Sequence, residues 1–129
     1  MKTRLLAVLL VAGVLAICLP MFAHHGSQAY ESTRVEMKGV TVVGFVWANP
    51  HCIVRFDVKD ESGKVTHWIS EMGSPSALTI DGFTKTSLQP GDVITIDITV
   101  SKSGTPVGWI RRITFADGSI LPHEAAAQR

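Results

Sequence analysis

Branched aliphatic residues recur at every second position through Ile94, Ile96, Ile98 and Val100, with Thr95, Asp97 and Thr99 between them. A period of two places alternate side chains on opposite sides of an extended chain, so this stretch is a strand with one apolar and one polar face. It is the cleanest strand signal in the chain, and from residue 35 onward the rest reads the same way, as short strands cut by turns. Residues 40–47 are rich in β-branched and aromatic side chains, with Gly44 marking a bulge or bend. Asn49-Pro50 ends that strand. Residues 51–58 alternate again: Cys52, Val54, Phe56 and Val58 share one face, and His51, Ile53, Arg55 and Asp57 the other. Asp60-Glu61-Ser62-Gly63 is a turn, and residues 65–71 return as the hairpin partner.

The pattern breaks once. Ser74-Pro75 reads as a helix N-cap followed by proline at the first helical position, where a missing N–H costs nothing. Residues 76–80 then form a short helix that stops near Asp81-Gly82. Pro90-Gly91-Asp92 is the turn before strand four, residues 101–107 read as a flexible loop, and 108–115 as the last strand. The order is strand, strand, strand, helix, strand, strand. It predicts a mainly β fold, a five-stranded OB-like Greek-key barrel with one short helix between strands three and four. An open β-sandwich or roll with one capping helix is the alternative. The domain is expected over 35–121, between a leader at 24–34 and a flexible tail at 122–129.

Ahead of the leader, Lys2 and Arg4 give a basic start, residues 5–20 carry no charge, and Met21-Phe22-Ala23 ends on a small residue. That order predicts a signal peptide over 1–23 and a periplasmic or secreted protein. An uncleaved anchor would need roughly 20 apolar residues; Pro20, just before a permitted cleavage site, favours removal and no lasting membrane insertion. Cys18 does not make a lipoprotein, because Ile17 is bulky where lipid transfer needs a small side chain. The roughly 106 residues that remain suffice for one domain with one core. Loss of Lys2 and Arg4 brings the formal charge from +1 to about −1, without the basic footprint of a nucleic-acid binder. Cys52 alone survives processing, so no internal disulfide is expected, and burial is the commonest fate of such a thiol.

Cleavage after Ala23 would leave His24 and His25 at the new N-terminus. An N-terminal histidine offers its α-amine and imidazole as a chelating pair, and a third nitrogen can complete a copper(II) site. His51, in the loop between strands one and two at the mouth of the expected barrel, is the candidate third ligand. Cleavage one residue earlier would give Ala23-His24-His25, another copper(II)-chelating start. The competing reading is a solvated leader and a histidine that only hydrogen-bonds in its turn. Trp47, Trp68 and Trp109 are expected in the core, although exposed aromatics on strands two and three could stack sugars or bases. Arg111-Arg112 would place one arginine on each face; an outer charge guarding an edge is favoured over an anion-binding role. Glu71, following strand three, is a candidate acid/base carboxylate, although a lone carboxylate near a strand end is usually just solvated. No Gly-x-Ser-x-Gly, phosphate loop or His-Glu-x-x-His occurs, so no enzyme activity is expected.

His24-His25, Asn49-Pro50-His51, Trp68, Gly73-Ser74-Pro75, Leu78, Gly82-Phe83-Thr84, Leu88 and Pro90-Gly91-Asp92 together resemble a family of exported bacterial proteins catalogued as a domain of unknown function. The resemblance spans residues 24–121. It implies a signal peptide followed by a compact OB-like β domain, and it marks His24, His25 and His51. Phe83 stands where a tryptophan is more familiar, and Cys52 where an aliphatic residue is. The expectation is a non-enzymatic exported binding module, taking a metal ion such as copper or a small ligand. The alternative is an OB-like interaction domain without metal, holding a peptide, glycan or partner protein on the face of strands two and three.

Overall fold

The computed structural model describes residues 29–122. The expected signal peptide, His24 and His25, and the tail beyond Pro122 lie outside the described residues. The elements are β1 (Tyr30–Val46), β2 (Ile53–Lys59), β3 (Val65–Glu71), α1 (Pro75–Ile80), β4 (Val93–Ser101), β5 (Val107–Thr114) and β6 (Ile120–Leu121). No helix among them is long and apolar enough to cross a membrane.

β1 is long because it serves two neighbours. Its first half pairs antiparallel with β4, Val35 opposite Ile98 and Met37 opposite Ile96. Its second half pairs antiparallel with β2, Phe45 opposite Val54. The register slips between Met37 and Val40, where Gly39 takes φ 65°, a conformation that costs residues with a Cβ. It slips again between Val42 and Gly44, the bulge predicted from the glycine. β2 and β3 form the expected hairpin, and β4 pairs with β5. Three parallel pairs, Ile69–Val107, Ser70–Gly108 and Glu71–Trp109, then join β3 to β5. The sheet closes into the predicted five-stranded OB-like barrel, with α1 between β3 and β4.

The interior follows the alternation. Cys52, Val54 and Phe56 from β2 and its approach meet Ile94, Ile96 and Ile98 from β4, all buried. Phe56 stacks on Trp68 at 6.0 Å and 11°, so Trp68 lies against the core as expected, and Trp47 does too. The helix cap also forms: Ser74 Oγ accepts from Ala77 N–H at 3.3 Å, and Pro75 opens the helix. Leu78, Phe83 and Leu88 from α1 and the following loop join the core.

Besides the two-residue β6 paired with β5, which the strand order from sequence does not include, three features depart from the sequence reading. β1 begins at Tyr30, inside the stretch expected as a leader, because its first residues find a partner in the far end of β4. The 102–106 connection, expected as a flexible loop, is bonded internally: the Ser103 hydroxyl meets Ser101 Oγ and Thr105 Oγ1, each at 2.8 Å. Finally, Arg111 and Arg112 do not split between the two faces. Asp97 pairs with Arg112 and Ile98 with Ile110, so two residues of β5 span a single step of β4, as in a bulge. Ile110 and Ile113 both point inward, and both arginines are exposed.

Candidate functional site

The parallel seam that closes the barrel sets Glu71 beside Trp109. Paired residues share a face. Their neighbours Ser70 and Gly108 point inward and are buried, so Glu71 and Trp109 face outward. Trp109 therefore departs from the core placement expected of it. It becomes the hub of an outer-surface cluster drawn from four elements.

Tyr30, the first residue of β1, meets the Trp109 indole edge-on with ring centroids 6.3 Å apart. His51 meets the same indole at 5.0 Å, also edge-on. Arg111 lies over the ring, its guanidinium carbon 5.4 Å from the centroid, a cation–π contact of about 0.5–1 kcal/mol at an exposed site. The Tyr30 hydroxyl donates to Glu71 Oε2 at 3.3 Å. Burial holds the Tyr30 phenol above its ordinary pKa, with the Glu71 charge and hydrogen bond adding to it.

His51 is held from its chain neighbour. Cys52 N–H donates to the Gly73 carbonyl at 3.0 Å, and the Cys52 carbonyl accepts from Met72 at 2.9 Å. Those bonds extend the β2–β3 ladder by one step and send the Cys52 thiol into the core, where burial pushes its pKa up. His51 consequently faces the other way, with its side chain 40% exposed and Nδ1 3.7 Å from Glu71 Oε2. That distance exceeds hydrogen-bond reach but lets the carboxylate attract a protonated ring. The predicted opposition of His51 and Cys52 is thus observed, and the two do not share a site.

His51 is the one member of the expected histidine set that lies among the described residues. Those residues contain no group of three or more His, Cys, Asp or Glu side chains placed to hold a metal. His67 stands elsewhere, bonded through Nδ1 to Asp57 Oδ1 at 2.6 Å on the outer face of the β2–β3 hairpin. Glu71, Trp109 and Arg111 each stand out in the sequence separately, as a lone carboxylate, a core tryptophan and an edge arginine, and nothing local joins them; Tyr30 does not stand out. Its one signal is that it is the sole tyrosine of the chain.

Arranged this way, the cluster can orient an imidazole, stack an apolar ring edge and present positive charge beside it. One protein family, described as a family of unknown function (DUF6152), matches the chain over residues 11–110. No curated protein and no solved structure matches it.

Proposed function

The chain belongs to the family of unknown function DUF6152, and we propose that this member is an exported, non-enzymatic binding module that takes copper(II) through His24, His25 and His51. The observation that carries the reading is that Tyr30 and His51 pack on one indole. The chain leading back from Tyr30 to the two N-terminal histidines therefore starts beside His51. Six residues of extended chain reach up to ~20 Å, ample to return across one side chain. Glu71 Oε2 lies 3.7 Å from Nδ1 of His51, so a small closing movement would make the outer-shell hydrogen bond that steers a ligating imidazole to offer its other nitrogen. Export supplies the remaining donor, because cleavage after Ala23 frees the α-amine of His24.

Copper(II) titrated into chain starting at His24 should bind tightly, and a form with one extra N-terminal residue should bind weakly. His51→Ala should lower affinity about tenfold or more. Equal weak binding by both forms, or no effect of His51→Ala, would defeat the metal reading. Mass spectrometry of the secreted protein tests the cleavage site directly.

A second reading has its own support. Ile69 and Val65, both on the outer side of β3, are 49% and 42% exposed, and together they offer apolar contact to a partner protein, peptide or glycan on the β2–β3 face. Ile69→Ser would weaken such an association and leave copper binding untouched.

A further inference from the structure

The two arginines of the β5 bulge have different fates. Arg112 is neutralised: its Nε and Nη2 both meet Asp97 Oδ2 at 2.7 Å, and the Asp97 side chain is largely buried. That ion pair accounts for Arg112 as structure. Arg111 turns the other way, over Trp109, toward a second arginine.

That second arginine is Arg34. It pairs across the sheet with Thr99 of β4, and Thr99 pairs in turn with Trp109 of β5. β1, β4 and β5 thus bring Arg34 and Arg111 to one cleft of about 540 Å³, with Lys102 at its rim and Tyr30, Ser32 and Thr99 along its walls. Lys102 is tied to the start of β1, its N–H donating to the Ala29 carbonyl at 3.1 Å. Glu31 also borders the cleft. Among the described residues, however, no carboxylate forms an ion pair with Arg34, Arg111 or Lys102.

We propose that Arg34, Arg111 and Lys102 form a binding site for a phosphate group carried by a small organic molecule or a lipid. Two guanidinium groups facing one cleft repel each other unless an anion lies between them. Burial, and after it the Arg34 charge, draws Arg111 below its ordinary pKa, in keeping with a cation that lacks a counter-charge. Phosphate suits the pair better than a carboxylate. Two planar forks and an ammonium match several oxygens at once and a charge approaching two. The cleft lies within the ordinary range for small-molecule pockets, about 300–1,000 Å³, so it has room for more than the phosphate itself. The cation–π contact holds Arg111 beside Trp109, so occupancy should register in indole fluorescence.

The test uses metal-free processed protein at constant ionic strength, titrated with inorganic phosphate, glycerol 3-phosphate and acetate and read by calorimetry and tryptophan emission. Both phosphates should bind, and acetate about tenfold more weakly. Arg34→Gln and Arg111→Gln should each weaken binding about tenfold, while Arg112→Gln stays within about twofold of wild type, as its charge is already spent on Asp97. Co-sedimentation with phosphatidic acid vesicles against phosphatidylcholine vesicles assigns the source: Arg111-dependent vesicle binding indicates a lipid headgroup, and glycerol 3-phosphate binding without it indicates a soluble ester. Absence of phosphate binding at millimolar concentration, or equal effects of Arg111→Gln and Arg112→Gln, would overturn the site. Far-UV circular dichroism on each variant separates lost binding from lost folding.

Discussion

Tyr30 offers a direct reading of the site, because it is the only tyrosine in the chain. Its phenol is held neutral by burial first and by the Glu71 carboxylate second. Tyrosinate absorbance should therefore titrate above the ordinary value of 10.0, and Glu71→Gln should bring the midpoint down while leaving the burial contribution in place. A midpoint at the ordinary value, or one indifferent to Glu71→Gln, would remove Glu71 from the cluster. Gly108 is the second residue whose identity is forced. A Cβ there would run into the Ile98 side chain, lying 2.7 Å from Cγ1 even after the closer Cδ1 contact, and would meet the Thr99 carbonyl oxygen at 3.0 Å. Gly108→Ala should cost about 1–3 kcal/mol by overpacking, seen as a lower urea midpoint with an unchanged slope. His51 was legible because Asn49-Pro50 announced a loop before it. Trp109 was not, because an indole in a strand has no periodicity that separates an inner from an outer face once a bulge follows two residues later.

Among the elements, the β2–β3 hairpin has its turn fixed by local hydrogen bonds. Its turn is organised by Asp60, whose Oδ1 accepts from the Ser62 hydroxyl at 2.7 Å and from the Ser62 and Lys64 amides at 2.9 and 3.0 Å. The Ser62 hydroxyl, chiefly, holds the Asp60 carboxyl below its ordinary range. A carboxyl whose folded pKa lies below its unfolded value of about 3.9 adds stability above that value, and the addition fades as pH falls through the folded pKa. Asp60→Asn should thus lose less stability than wild type between about pH 5 and pH 2.5, measured by urea unfolding at each pH. Identical losses would show that the turn carboxylate is not what acid disturbs. This hairpin, the α1 cap and β4 were all readable from sequence, since turn chemistry and strand period are local. The β5 bulge was not: alternation across 110–113 predicts opposite faces for Arg111 and Arg112, and only the register with β4 makes both point out.

At the scale of the molecule, closure is the decisive event. Ser70 and Gly108, both small, allow β3 and β5 to approach in parallel, and the core then seals around Cys52. Cys52 is fully buried, so in chain starting at His24 it should resist a thiol reagent until the barrel opens. Labelling by an aromatic disulfide should follow the urea unfolding curve, and rapid reaction in native buffer would show that the seam breathes. Several of the residues that carry the resemblance serve this same architecture. Leu78, Phe83 and Leu88 enter the core, while Gly91 N–H and the Asp92 carbonyl clamp Val42 at 2.8 Å each. Asn49-Pro50-His51 is the motif that reaches the outer cluster.

The amino-acid sequence by itself determined strands β2 to β5, the inward faces of β2 and β4, the cap on α1 and the side on which the Cys52 thiol lies. Each follows from contacts within a few residues, where pleat, turn and capping chemistry act. Only the tertiary structure decided that Tyr30, His51, Glu71 and Trp109 form one cluster, and that Arg34 and Arg111 share a cleft. The Tyr30–Glu71 hydrogen bond spans 41 positions, and such meetings depend on the register of strands that pair far along the chain, where a slip of one residue would turn every side chain to the opposite face.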